Sequence, residues 1–182
     1  MILSDFDLES YIRDKRLVVR PFHESTIREN GLDLRLSNQI AVKNTKMSKN
    51  FVLDPYDEKS LKKEYKVMKS ASEFALPGMA QVLISTLEYL ELPDNLMGFI
   101  ELRSTWCRHG LSMPPSIIDA GFKGNITREI INHSPYAIKL KPKTRFAHII
   151  FATTLNRVRN AYSGLYLGQR GIRLPKVIKE SP

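Results

Sequence analysis

The sequence predicts a mainly β protein, a sandwich or a distorted barrel, built as one domain. A chain of 182 residues is long enough for one real core. From residue 17 onward, short apolar or alternating runs are broken by Pro, Gly or Asn, which is typical of many short strands. The runs predicted as strands are Leu17–Val19, Gly31–Leu36, Gln39–Val42, Glu73–Leu76, Ala80–Leu90, Leu96–Leu102, Leu111–Met113, Asn125–Asn132, Ala137–Leu140 and His148–Thr154.

A helix is predicted only at the start and in one short later segment. Ser4 and Asp7 have the spacing of a capping box, which favours a helix through about Lys15. Two segments have little periodicity. Residues 43–66 are rich in lysine and are interpreted as an insertion or a loop with one ragged strand, and residues 160–182 as a tail that closes over a site or a frayed terminus.

Charge is divided unevenly along a chain whose net charge is +9. Residues 1–102 hold 14 Lys and Arg against 16 Asp and Glu, whereas residues 103–182 hold 14 against 3. Such a basic half would steer an anion, and a nucleoside triphosphate is a small, highly charged candidate. Nucleic acid is the competing partner, but no zinc finger, helix-turn-helix or RNA-binding signature supports a specific complex.

Membrane and metal signals are weak. No apolar run reaches transmembrane length and the start does not resemble a secretory signal, so we expect a cytoplasmic protein without a membrane partner. The single cysteine, Cys107, excludes an intrachain disulfide. The four histidines lie far apart without zinc-ligand spacing: His23, His109, His133 and His148.

The segment from Arg103 to Gly110 predicts a short helix over about residues 104 to 109. Ser104 is a residue type that caps helices, and Gly110 suits the end of one. Free N–H groups at the first turn, with Arg103 and Arg108 on either side, would suit a polyphosphate. A surface helix with solvated arginines is the alternative, and by composition alone it is the commoner case.

Downstream, residues 117–124 and Asn125–Asn132 predict a β-hairpin around a turn bracketed by glycines. Alternation in the second strand places Thr127, Glu129 and Ile131 on one face and Ile126, Arg128 and Ile130 on the other, so Glu129 shares its face with an isoleucine. A carboxylate on a half-apolar face suits a group that takes and returns a proton. The alternative is that Glu129 pairs with a lysine across the sheet.

Three motifs in this order resemble the dCTP deaminase branch of the dUTPase-like superfamily, in its archaeal type. They are Arg-Ser-Thr-x-x-Arg at 103–108, Ile-Asp-Ala-Gly-Phe-Lys-Gly at 118–124 and Thr-Arg-Glu at 127–129. The resemblance extends to residues 1–5, to residues 29–36 and to Tyr-Ser-Gly-Leu-Tyr-Leu-Gly-Gln-Arg-Gly at 162–171, and is weakest between about 41 and 70.

The resemblance implies a fold and an assembly. The fold is a distorted, jelly-roll-like β-barrel of the dUTPase-like type, with a short N-terminal helix and one short phosphate-binding helix. It implies a single domain over residues 1–182, with residues 160–182 as a C-terminal lid or tail. Members of the superfamily place their sites between the subunits of a threefold trimer, so a homotrimer or hexamer is expected.

The resemblance also implies an activity: hydrolysis of dCTP to dUTP and ammonia without zinc, feeding dUMP and dTTP synthesis. Magnesium would be carried by the triphosphate, and dTTP is a candidate inhibitor. Glu129 would be the general base and acid, Ser104 would position the water, and Arg108 would balance charge near the reacting atoms. The remaining residues of the implied binding site are Arg103, Thr105, Trp106, Cys107, Asp119, Thr127, Arg128, Tyr162 and Gln169.

Particular contacts follow from the same resemblance. Asp119 would accept a hydrogen bond from the 3′-hydroxyl, Thr127 and Arg128 would line the base pocket, and Tyr162 and Gln169 would cover the nucleotide. Two departures from the family pattern concern the loop over residues 112–118, which is shorter, and Leu165, which stands where a phosphate-binding lysine is expected.

Three alternatives stay open at this stage. The chain could be a dUTP pyrophosphatase in which Asp119 activates water, or a bifunctional enzyme that converts dCTP to dUMP. Glu129 favours deamination, because classical trimeric dUTPases have an apolar residue ten places after the equivalent aspartate. The non-enzymatic alternative is a basic nucleic-acid-binding barrel.

Overall fold

The structure is a computed structural model that describes residues 1–44 and 50–179. Three α-helices are described: α1 (Asp5–Arg13), α2 (Glu58–Glu64) and α3 (Ser104–Arg108). The strands are β1 (Val18–Arg20), β2 (Ile27–Arg28), β3 (Gly31–Lys43), β4 (Tyr65–Lys69), β5 (Phe74–Leu76), β6 (Gln81–Glu91), β7 (Leu96–Leu102), β8 (Leu111–Ser112), β9 (Ser116–Ile118), β10 (Lys123–Asn132), β11 (Ile138–Leu140) and β12 (Arg145–Thr153). The predicted mainly β fold is confirmed.

One long, curled sheet forms the body. Its strand order is β8-β10-β6-β3-β12-β7-β9, and each pairing along this path is antiparallel. The two end strands, β8 and β9, are separated by only three residues of sequence, so the path curls and brings its ends near one another. Inward-facing side chains of both halves, such as Leu34, Ile84 and Ile149, form one buried core. This is the distorted barrel that the sequence predicts.

Helix α1 begins as predicted. The Ser4 hydroxyl accepts from the backbone N–H of Asp7, and the Asp7 carboxylate accepts from the backbone N–H of Ser4 at 3.0 Å. The Ser4 backbone N–H and the Ser4 hydroxyl both donate to the Asp7 carboxylate, and these two bonds lower the pKa of Asp7. Leu8 is fully buried, so the apolar side of α1 packs against the core.

The prediction of two strands over residues 31–42 is wrong, because β3 runs without interruption through Ser37 and Asn38. Its first half pairs with β12 and its second half with β6, with an irregular register in between. The polar pair therefore marks a change of partner within one strand. This strand joins the two halves of the curled sheet.

The predicted hairpin is also wrong. β9 pairs with β7 and β10 pairs with β6 and β8, so the two strands lie at different places in the sheet. The turn itself exists, since Phe122 N donates to Asp119 O at 3.1 Å. However, Gly121 N donates to Pro93 O at 3.0 Å and Leu92 N donates to Phe122 O at 2.9 Å, and these long-range bonds direct the chain across to β6.

Residues 43–66 are more regular than predicted. Asp57 caps α2 by accepting from the backbone N–H groups of Lys59 and Ser60, and Leu61 is buried. Strand β4 then pairs with the end of β3. Residues 45–49, which fall in the predicted insertion, lie outside the described residues. Every helix that the structure describes is too short or too polar to cross a lipid bilayer.

Candidate active site

A cavity of about 360 Å³, the β10 pocket, lies between the end of β9 and the outer face of β10. Residues of the C-terminal segment also line it. Six of the side chains singled out from the sequence meet here: Asp119, Thr127, Arg128, Glu129, Tyr162 and Gln169. Residues that are 50 positions apart in the chain therefore share one pocket.

Strand β10 alternates as predicted. Ile126, Arg128 and Ile130 are buried, whereas Thr127 and Glu129 are half-buried. Glu129 lies opposite Leu83 of β6, and both residues line the pocket, so the carboxylate lies in a partly apolar environment. This environment suits a group that exchanges a proton with a bound substrate.

Arg128 is a buried cation beside the Glu129 carboxylate. Its Nη2 lies 3.4 Å from Glu129 Oε2 and also donates to the carbonyl oxygen of Pro114. Burial lowers the pKa of Arg128, while the carboxylates of Glu129 and Glu101 oppose that shift. One guanidinium thus connects Glu129 with the shortened loop before β9.

The C-terminal segment is attached to β10 by hydrogen bonds of backbone and side-chain groups. Asn125 N donates to Gln169 O at 3.0 Å, and Arg173 N donates to Thr127 Oγ1 at 3.0 Å. The Gln169 amide nitrogen donates to the carbonyl oxygen of Asn125, and the side chain is buried. Gln169 is therefore an anchor of the segment in this structure.

Tyr162 is the first residue of the C-terminal segment that lines the β10 pocket, and this segment forms the cover of the pocket. Its ring lies 5.7 Å from the ring of Phe122, and its backbone N–H donates to Ala120 O at 2.9 Å. Gly121 makes this approach feasible, because a Cβ at that position would lie 2.6 Å from Ala161 Cβ and the residue has a φ of +86°. The glycine of the Ile-Asp-Ala-Gly-Phe motif thus has a local physical role.

Tyr65 of β4 lies close enough to Glu129 for the two side chains to interact electrostatically. Burial raises the pKa of Tyr65 to about 12, with further contributions from the carboxylates of Glu64 and Glu129. Tyr65 and Leu83 belong to a small outer cluster against which Ile172 and Leu174 of the C-terminal segment pack. The cover over the pocket is thus held by apolar contacts as well as hydrogen bonds.

Helix α3 lies in a different place. A cleft of about 350 Å³, the α3 cleft, is lined by Arg28, Glu29, Asp33, Glu101, Leu102, Arg103, Ser104 and His148. Ser104 is not the cap that the sequence predicts: the N-cap position is Arg103, without a side-chain cap, and Ser104 is the first helical residue. Gly110 follows the helix with a φ of +86°, as predicted for a C-terminal stop.

The other residues of the α3 segment differ in exposure. Thr105, Cys107 and Arg108 are exposed, and the Cys107 thiol is free. Trp106 is half-buried against the core, and its indole N–H donates to Arg145 O at 3.0 Å. Trp106 therefore secures the helix to β12.

The β10 pocket and the α3 cleft share no lining residue. One chain thus brings Glu129 together with Asp119, Thr127, Arg128 and the cover residues, and it leaves Arg103, Ser104 and Arg108 elsewhere. Among the described residues, the sequence reasoning also missed several lining groups: Asp33 and His148 in the cleft, and Tyr166 and Arg173 in the pocket. The signal that could have indicated Asp33 is that Asp33 and Arg35 alternate with leucines in residues 32–36.

Comparison with known proteins decides the family. Residues 2–154 match the family model described as dCTP deaminase-like. The chain belongs to the dCTP deaminase-like family. The dCTP deaminase of Saccharolobus solfataricus is 46% identical over 176 residues, which cover 97% of this chain and 92% of that protein. The dCTP deaminase of Pyrobaculum arsenaticum is 44% identical over 179 residues, covering 98% of each.

A solved structure of the dCTP deaminase-like family shows the same fold. The 2′-deoxycytidine 5′-triphosphate deaminase from Agrobacterium tumefaciens superposes with a TM-score of 0.65 at 19% identity, and the match covers 82% of this chain and 46% of that chain. The family expected from the three motifs is confirmed.

Proposed function

We propose that this protein catalyses the hydrolytic deamination of dCTP to dUTP and ammonia. The observation that carries the proposal is the meeting of Glu129, Asp119 and Thr127 in one covered pocket. Relatives named dCTP deaminase, at 44–46% identity over nearly the whole chain, support the same activity.

Glu129 is proposed as the general base and acid. Its carboxylate takes a proton from a water molecule above C4 of cytosine, and the hydroxide adds to C4. Glu129 then gives this proton to N3 and moves the one remaining proton, that of the adduct's hydroxyl, to the departing amino group. The C4–N4 bond breaks, ammonia leaves, and C4 keeps the oxygen as the uracil carbonyl.

Other residues are proposed to bind and orient the nucleotide. Asp119 is exposed at the mouth of the pocket, where its carboxylate can accept from the 3′-hydroxyl of deoxyribose. Thr127 and Arg128 adjoin the base, while Tyr162 and Gln169 cover it and exclude water. The basic half of the chain favours the triphosphate.

Arg103, Ser104 and Arg108 are proposed to act on a nucleotide bound in the β10 pocket of a neighbouring subunit. This arrangement is supported by the separation of the two sites on one chain. Ser104 would position the attacking water and Arg108 would balance the negative charge that develops during attack. A homotrimer with three such sites is the proposed assembly.

Magnesium is proposed to arrive on the triphosphate, and zinc to have no part in the reaction. Mg²⁺ keeps several waters and binds nucleotide phosphates with few protein ligands, so it supplies charge neutralisation there. In residues 1–44 and 50–179, no three His, Cys, Asp or Glu side chains gather as metal ligands. Turnover is measured after treatment with a zinc-specific chelator and, separately, after removal of magnesium. We expect only the removal of magnesium to abolish turnover. Stoichiometric zinc found by elemental analysis would contradict the proposal.

The decisive assay incubates the protein with dCTP and Mg²⁺ and resolves dUTP, dUMP and ammonia. We expect dUTP and ammonia in equal amounts. Formation of dUMP and pyrophosphate would favour the bifunctional alternative, since Asp119 lies in the same pocket as Glu129. Absence of ammonia release would reject deamination. A separate binding competition tests the nucleic-acid-binding alternative, which displacement of dCTP by a single-stranded oligonucleotide would favour.

A further inference from the structure

A buried carboxylate, that of Asp33, lines the α3 cleft. The Asp33 side chain is 2% exposed, and its Oδ2 lies 3.1 Å from Arg103 Nη1 and 3.6 Å from Arg145 Nη1. Its Oδ1 lies 3.1 Å from His148 Nδ1. Two cations and an imidazole thus converge on one carboxylate.

Asp33 is held in place by His148, whose imidazole packs closely against the backbone of Gly31. A Cβ on Gly31 would lie 2.4 Å from His148 Nε2 and 2.3 Å from Ile149 O, so only glycine leaves room for the imidazole. Asp33 and His148 are also directly paired across β3 and β12. The carboxylate therefore has little freedom to turn away from Arg103.

Arg103 is fixed at its backbone and partly free at its side chain. Its N–H donates to Phe146 O at 2.9 Å, while its side chain is 36% exposed in the α3 cleft. Within the described residues, Asp33 Oδ2 receives no hydrogen bond of good geometry, so the contact with Arg103 is an ion pair. The remaining guanidinium N–H groups are available to a ligand in the cleft.

We propose that Asp33 is a positioning residue that orients the Arg103 guanidinium for contact with the triphosphate of the substrate. This inference rests on the proposed function, because it takes Arg103 as a phosphate-binding residue. An arginine whose rotamer is fixed loses less entropy when it binds an anion than a freely moving one. Asp33 would thus strengthen phosphate binding although its own charge is negative.

The sign of the effect separates positioning from simple electrostatics. If Asp33 acted only through its charge, Asp33→Asn would make the cleft more positive and would tighten binding of an anion. If Asp33 orients Arg103, the same substitution weakens binding, and the loss grows with the number of phosphates. A purely structural role would weaken the binding of dCTP and dCMP equally.

The experiment compares the wild-type protein, Asp33→Asn and the surface control Asp94→Asn. Asp94 forms an ion pair with Arg157 at 3.5 Å and lines neither the pocket nor the cleft. Calorimetry measures the binding of dCTP, dCMP and inorganic tripolyphosphate, and thermal melting confirms folding. We expect Asp33→Asn to weaken dCTP and tripolyphosphate binding about tenfold or more, the scale of a weakened charged hydrogen bond, and dCMP binding much less.

A double substitution tests whether the effect passes through Arg103. In an Arg103→Gln background, Asp33→Asn should have little further effect on tripolyphosphate binding. Unchanged or tighter tripolyphosphate binding by folded Asp33→Asn would overturn the inference, as would equal losses for dCMP and dCTP. If Asp33→Asn does not fold, Asp33→Glu displaces the carboxylate by one methylene and is judged by the same outcomes.

The binding measurements do not depend on turnover. If the wild-type protein binds tripolyphosphate but releases no ammonia from dCTP, the proposed function is rejected. The role of Asp33 is then still decided by the affinities for dCTP, dCMP and tripolyphosphate. Conversely, a wild-type protein that deaminates dCTP, with an Asp33→Asn variant that binds tripolyphosphate normally, would reject the positioning role alone.

Discussion

Glu129 is the residue on which the proposed chemistry depends. Because an amide cannot take a proton from water, we expect Glu129→Gln to lower kcat for dCTP by about a hundredfold or more. The fold and dCTP affinity should remain, since the side chain is half-buried and of nearly equal size. Glu91→Gln is the matched control, because Glu91 pairs with Lys123 at 3.4 Å outside the pocket. Near-normal turnover by Glu129→Gln would reject the assigned base.

Tyr65 makes stability depend on alkaline pH. Its pKa is raised from 10.0 to about 12, so the folded state holds the phenol proton more tightly than the unfolded state. The resulting stabilisation is complete below pH 10 and is lost as the pH rises from 10 to 12. A shift of this size corresponds to about 2–3 kcal/mol in the free energy of unfolding.

Denaturant unfolding between pH 9 and about 11.5 checks this expectation. Tyr65→Phe should remove most of the alkaline fall in unfolding free energy, whereas Tyr136→Phe, at a tyrosine with 66% exposure, should keep it. Parallel curves for the wild type and Tyr65→Phe would mean that the Tyr65 phenol does not titrate differently in the folded protein.

At the scale of elements, the C-terminal segment combines firm anchors with exposed residues. Gln169 is buried, whereas Arg170 and Arg173 are exposed. The Arg170 guanidinium stacks 3.8 Å from the ring centre of Tyr89, outside the lining of the β10 pocket. The segment is thus attached at the pocket while its arginines remain open to protease, and its role as a lid is a prediction.

Truncation after Asn160 tests that prediction. The family model matches only residues 2–154, so we expect the shortened chain to fold. Its dCTP affinity and kcat should both fall, because Tyr162, Gln169 and Arg173 no longer enclose the pocket. Normal turnover by the truncated chain would exclude a lid.

Point variants refine the result. Gln169→Ala should reproduce part of the loss, and Leu167→Ala, at an exposed residue of the same segment, should not. In the intact chain, saturating dCTP with Mg²⁺ should slow tryptic cleavage at Arg170 and Arg173. Cleavage that is indifferent to nucleotide would show that these arginines do not lie in a closing element.

At the scale of the whole molecule, the division between the β10 pocket and the α3 cleft predicts assembly. We expect sedimentation to give a trimer or a multiple of three, and an active monomer would contradict shared sites. Co-expression of Glu129→Gln with Ser104→Ala is a sharper test. Two inactive variants should recover up to about a quarter of wild-type activity, because a random mixture of cyclic trimers contains that share of intact sites.

Local sequence patterns determined several features of this protein. The capping residues of α1, the alternation of β10 and the positive φ at Gly110 follow from periods and turn preferences that act within a few residues. Residue order also placed the three motifs that identify the family. The predicted roles of the site residues stay predictions, because substrate contacts are a property of a complex.

The tertiary structure decided what those local patterns leave open. A turn at Gly121 is compatible with a hairpin, but bonds to Leu92 and Pro93 send β10 to a different neighbour. The charged partners of Asp33 lie 70 or more positions away, so no window of sequence could reveal them. Strand pairing and ion-pair networks depend on contacts between distant segments, whose energies appear only when the whole sheet closes.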